Sequence, residues 1–159
     1  MSLIDVTYFF NEFDIAQKQS PAVAERLQYY IDTYEVEYLE KALGEDFAAL
    51  FNASVADPKY DDLQEMLKSK PSPIAAYVFY MYQRDEAIVS TGEGDARSKS
   101  ENAARISETY RMTKAWNIMV RLTRRIHAYL NKNSDIFPEF GLAYTDYYLS
   151  RNQNDFGLL

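Results

Sequence analysis

The residue types that could do chemistry are few in this chain of 159 residues, and most are isolated. There is one histidine, His127, and no cysteine. A helical di-iron site needs two Glu-x-x-His pairs, and a zinc site without thiolates needs several imidazoles, so one histidine falls short of both. His127 also follows Arg124 by three residues, in a basic stretch that would repel a bound cation. Thr91-Gly92-Glu93-Gly94 faintly resembles a phosphate loop. A dinucleotide fingerprint would need a third glycine at position 97, which is Arg97. A P-loop would need Gly-Lys-Ser/Thr where Arg97, Ser98 and Lys99 stand. The acidic residues of that segment would repel phosphate, so a flexible loop is the better reading. Carboxylates cluster at Glu35, Glu37, Glu40, Glu45 and Asp46, and again at Asp61, Asp62 and Glu65. Paired acids can do acid–base work. On amphipathic helices, however, such residues are expected on the solvated side.

A binding surface is better supported than catalysis. Lys114, Arg121, Arg125 and Lys132 follow one another at intervals of 7, 4 and 7, which places them on one side of a helix, with Arg111 and Arg124 beside them. That stripe could meet an acidic protein surface or a nucleic-acid backbone, or be an ordinary exposed face. The charge balance favours the protein surface over nucleic acid. Residues 1–95 carry 18 acidic and 7 basic side chains, whereas residues 96–159 carry 6 acidic and 10 basic, within a net charge of −7. One copy's acidic half could therefore face another copy's basic half.

The elements that must position these residues read as helices. Ser20–Phe51 starts with a serine cap and Pro21, then repeats apolar side chains every three or four residues. A break near Asp32–Tyr34 is conceivable, Gly44 stops the helix, and Phe47, Leu50 and Phe51 sit on a short second one. Asp57–Pro58 and Ser72–Pro73 are two further starts. Ile74–Tyr82 has no charged residue and apolar side chains on every side, which predicts a helix buried all round. Val89–Ser100 is a polar loop or hairpin. From Ser100 a long helix runs to about Asn131, with Met112, Trp116, Met119, Thr123, Ile126 and Leu130 as its apolar stripe. Ile106 and Tyr110 begin that stripe one turn earlier. Phe137–Gly141 is a turn, and Leu142–Leu149 a short helix.

The expected fold is thus all-α: a bundle of four to six helices with a long C-terminal helix and a flexible polar segment near 89–100. Residues 1–150 would form one domain, with 1–19 an arm docking Tyr8, Phe9, Phe10 and Phe13, and 20–133 the core. Residues 151–159 would be a loose tail. A hydrophobic content of 47% with 26% charged residues is globular. The N-terminus has no signal-peptide pattern and no run reaches membrane-span length, so the expected location is the cytoplasm. Fourteen tyrosines and nine phenylalanines exceed what one small core absorbs, and some are expected at an interface.

The order of the pieces carries a resemblance. Leu27-x-x-Tyr30-Ile31 leads to Tyr38-Leu39-x-x-x-Leu43-Gly44 and the short helix through Phe51. The proline-started helix from Pro73, the polar segment Thr91-Gly92 to Asn102, and a long return helix ending in Tyr129-Leu130 follow. Over residues 20–133 this resembles the small head–tail connector (adaptor) proteins of tailed phages and prophages. The resemblance implies a non-catalytic α-helical protein that forms a homo-oligomeric ring below the portal, with the portal and tail-completion proteins as partners. It also implies passing contact with phage DNA, no membrane, no cofactor and no metal. Such a protein would be cytoplasmic in the host and sit in the virion neck once assembled. By that analogy, the 89–100 segment would reach a neighbouring subunit. The candidate assembly residues are then Gly92, Gly94 and Arg97, the cations Lys114, Arg121, Arg125 and Lys132, and the acids Glu35, Glu37 and Glu40. A small helical protein-binding or regulatory module, docking through the Lys114–Lys132 stripe, is the alternative. An enzyme is the least supported reading.

Overall fold

The computed structural model describes residues 2–86 and 101–141, with only the backbone of 101–109. Those residues form an all-α bundle of five helices: α1 (Pro21–Leu43), α2 (Glu45–Ala53), α3 (Asp61–Lys68), α4 (Pro73–Glu86) and α5 (Glu101–Lys132). The predicted polar segment at 89–100, the helix over 142–149 and the tail lie outside the described residues.

Local sequence explains each boundary. α1 begins at Pro21, whose missing N–H costs nothing in a first turn. Ser20 occupies the cap position but its hydroxyl makes no capping bond. The helix runs unbroken through Asp32–Tyr34, because packing against α4 outweighs the modest propensities there. It stops at Gly44, whose φ of 83° suits a residue without Cβ and whose N–H still reaches the Glu40 carbonyl. Asp57–Pro58 opens a 3₁₀ turn, Pro58–Tyr60, that feeds α3, and the Asp57 carboxylate accepts the Lys59 amide at 3.0 Å. Ser72 links α3 to α4: its hydroxyl donates to the Leu67 carbonyl at 2.7 Å and accepts from the Ala75 amide at 3.3 Å.

α4 is the axis of the molecule. Every residue from Pro73 to Tyr82 is buried, as its uninterrupted apolar run predicts. Helix α1 packs antiparallel to it. Arg26 pairs with Glu86, the Tyr30 ring meets Tyr82 edge-on at 5.1 Å, and Tyr38 meets Tyr77 at 5.8 Å. Helix α5 covers the opposite side, with Trp116 against Tyr80 at 4.9 Å. α1 and α5 also touch. Thr123 donates to the Met119 carbonyl, so the buried Tyr38 hydroxyl donates to Thr123 Oγ1 at 2.7 Å. One turn further along both helices, His127 meets the Ala42 carbonyl. Both contacts advance by four residues on each helix, so α1 and α5 run in the same direction. A second aromatic cluster closes the far end, where Phe47, Phe51, Tyr60 and Phe137 lie within 5.3–6.2 Å of one another in four ring pairs.

The arm is helical where strand-like residues stand. Val6–Tyr8 and Asn11–Phe13 are 3₁₀ turns. They dock Phe9 and Phe13 into the core, with Ile4 and Ile15 besides, while Tyr8 is half-buried and Phe10 is left exposed. The apolar stripe of α5 is right at Met119, Thr123, Ile126 and Leu130, all buried, with Met112 and Trp116 half-buried. It does not extend back to Tyr110, which is 67% exposed: six residues before Trp116, that position lies about a third of a turn round the helix from it.

Phe79 is wholly buried, 5.7 Å from the Phe13 ring and under the Arg111 guanidinium. Phe79→Ala should cost about 3–5 kcal/mol in urea unfolding, whereas Tyr29→Ala, at a 66% exposed position, should stay within about 0.5 kcal/mol.

Candidate functional site

The single histidine is a packing residue. His127 is buried, its ring lies 5.5 Å from Phe140, and Nε2 is 2.6 Å from the Ala42 carbonyl. A carbonyl oxygen only accepts, so Nε2 carries a proton and ties α5 to the end of α1. Among the described residues no three His, Asp or Glu side chains come together as a metal site.

The acidic candidates separate into three environments. Glu35 is not on an outer face. It is buried beneath the arm, where its carboxylate accepts from the Ser2 hydroxyl at 2.7 Å, the Leu3 amide at 2.8 and 3.0 Å, and the Ile4 amide at 3.3 Å. The first residues of the arm cross α1 with backbone N–H groups that have no other partner, and a carboxylate is the acceptor that answers them. Its position could have been read: Leu27, Ile31, Glu35, Tyr38 and Ala42 step 4, 4, 3 and 4 along the inward side of α1. Glu37 is half-buried at the α1–α4 boundary, accepting from the Tyr77 hydroxyl at 2.7 Å and from Lys41. Burial pushes its pKa up, but the hydrogen bonds from Lys41 and Tyr77 outweigh that and hold it below the usual glutamate value. The Tyr77 phenol is pushed the other way, by burial first and then by the neighbouring Glu37. Glu40 is exposed on the outside of α1.

The basic candidates also separate. Lys114 is exposed but tied to Glu12 of the arm at 2.8 Å. Arg111, half-buried, donates to the Asp14 carbonyl and covers the Phe79 ring. Arg121, Arg124, Arg125 and Lys132 are exposed, and among the described residues none of the four makes an ion pair. They continue from an open groove of about 490 Å³ lined by Glu12, Tyr110, Lys114, Asn117, Ile118 and Arg121. Gly92, Gly94 and Arg97 lie outside the described residues. The sequence leaves open whether the α1 acids and the α5 bases pair within one chain or between chains. Among the described residues they do not pair within one chain: Glu35 and Glu37 turn inward, and Glu40 lies across α1 from Tyr38 and Ala42, which face α5.

Sequence reasoning passed over the outer side of α1. Glu25, Tyr29, Asp32, Val36 and Glu40 step 4, 3, 4 and 4 along it, and all are exposed, Tyr29 at 66% and Val36 at 47%. The signal was present in the spacing, but only Glu40 of these five residues stood among the candidate interface residues. No helix among the described residues is long and apolar enough to cross a membrane.

Glu35→Ala should loosen the arm, costing about 2 kcal/mol and opening the backbone after residue 2 to limited proteolysis before global unfolding. The lowered pKa of Glu37 sets a sign for acid stability. A carboxylate held below its unfolded value near 4.5 stabilises the fold above that pH, and the stabilisation is lost as pH falls through the folded value. The urea midpoint should therefore drop on acidification below pH 4.5, and Glu37→Gln should flatten that part of the profile.

Compared with models of known protein families, with curated proteins and with solved structures, the chain matches none.

Proposed function

We propose that this chain is a structural, non-catalytic head–tail connector of a tailed phage or prophage, assembling as a ring at the neck between the portal and the tail-completion proteins. The observation that carries the reading is the element order together with what it leaves outside. A long first helix stops at a glycine, a short helix folds back, a buried proline-started helix follows, and a long return helix presents cations without intrachain ion pairs among the described residues. A ring subunit needs surfaces of that kind on a rigid body. The residue types with catalytic potential are occupied instead by packing: His127 clasps a carbonyl, Glu35 holds the arm and Glu37 holds Tyr77.

A second reading, a helical protein-binding or regulatory module, is favoured by the same exposed cations. The two differ in where the gene sits and where the product goes. The connector reading expects genes for a portal, a capsid protein and tail components beside this one, and expects mass spectrometry to find the chain in purified tailed particles. Flanking genes of another kind, or particles that lack the chain, would overturn it and leave the binding module.

A further inference from the structure

Helices α1 and α5 each present one face that the core does not use, and the two faces are complementary. On α1 the outer stripe Glu25, Tyr29, Asp32, Val36, Glu40 alternates carboxylates with exposed apolar side chains over about 22 Å. Arg26 and Lys41, the bases of that helix, are engaged elsewhere, with Glu86 and Glu37. On α5 the stripe runs from Tyr110 through Lys114, Asn117, Arg121, Arg125 and Ala128 to Lys132, over about 33 Å. Between Tyr110 and Lys132 there is no acidic residue.

These faces cannot meet within one copy. Tyr38–Thr123 and Ala42–His127 hold α1 against α5 through their inner sides, which leaves the two stripes pointing outward on different flanks. We propose that the outer face of α1 from one copy docks on the outer face of α5 from a second copy. The proposal rests on the connector reading for the premise that copies meet, while the choice of surfaces comes from exposure and charge. Glu25, Asp32 and Glu40 would lie along Arg121, Arg125 and Lys132. Tyr29 and Val36 would pack on the alkyl stems of the arginines. Lys114, already paired with Glu12, marks where the arm borders the contact.

Two consequences distinguish this contact. It joins unlike faces, so every added copy leaves one face of each kind open, and association continues until a ring closes or a filament grows. It is also electrostatic in part, so salt weakens it. A nucleic-acid backbone is the less fitting occupant of the basic stripe: the chain has a net charge of −7, and Glu12 lines the groove that adjoins it.

The test uses the full chain in light scattering coupled to size exclusion, at low and high salt. Wild type should self-associate and dissociate as salt rises. The reversals Arg121→Glu with Arg125→Glu, and Glu25→Lys with Glu40→Lys, should each weaken association by about tenfold or more, because like charges are then set against one another. An equal mixture of the two reversed proteins should recover association, since each supplies the charge the other now needs on both faces. Circular dichroism checks that each variant folds, and the milder Arg121→Gln with Arg125→Gln pair serves should the reversal misfold. Wild type that stays monomeric at low salt, variants that associate as wild type does, or a mixture that does not recover would each overturn the proposal. So would a labelled DNA duplex whose binding is lost in the arginine reversal while self-association is unchanged. Gene context and particle content report on the connector reading alone, so the two can fail separately.

Discussion

The constraint on which the rest depends is a helix with no polar side. From Pro73 to Tyr82, α4 offers water nothing, and burying each of its larger side chains is worth about 1.5–3 kcal/mol. A single neighbouring helix covers only one stripe of such a surface. α1 and α5 therefore flank it, α3 packs against it, and the second 3₁₀ turn of the arm covers what remains. Flanking helices that bury one stripe necessarily carry another stripe outward. The external faces of this molecule are by-products of how its centre is enclosed.

The arm shows how a polar residue becomes part of that enclosure. The apolar anchors Ile4, Phe9, Phe13 and Ile15 are buried, but a chain segment without regular structure brings backbone N–H groups into the same region. Glu35 collects two of them and the Ser2 hydroxyl on one carboxylate. Lys18 and Arg111 satisfy the carbonyls of Phe9 and Asp14. The arm is thus fastened by hydrophobic anchors along its length and by charged groups at points where its backbone would otherwise be unpaired.

Much of the architecture was legible because periodicity reports burial directly. The buried run of α4, the proline starts, the glycine stop and the stripe through Met119, Thr123, Ile126 and Leu130 all follow from spacing and residue type. What was not legible depended on partners far away in sequence. The spacing puts Glu35 on the inward side of α1, but the groups its carboxylate answers, the first residues of the arm, stand 31–33 positions away. Tyr110 reads as the start of the stripe, but its side chain lies round α5 from Trp116 and is exposed. Tyrosine is the general difficulty: Tyr38 and Tyr60 are wholly buried while Tyr29 is open, and an amphipathic ring fits either place. Of the candidate surface, the basic stripe was visible as spacing, but of the α1 acids expected to answer it only Glu40 stands on the true outer face, with Glu35 and Glu37 about a quarter of a turn to either side.

That error is informative about assembly. Had Glu35 and Glu37 lined an acidic face toward α5, the charge asymmetry between the halves of the chain would have been spent on packing within one copy. Instead those two carboxylates are satisfied by the arm and by Tyr77, and the exposed acids of α1 stand on a flank that α5 does not reach. Opposite charges that are separated by a rigid core cannot relax toward each other, so the attraction between them remains available to another molecule. A second copy of the chain carries both faces of opposite charge, and the all-α core that separates them within one subunit would fix the angle at which successive subunits join.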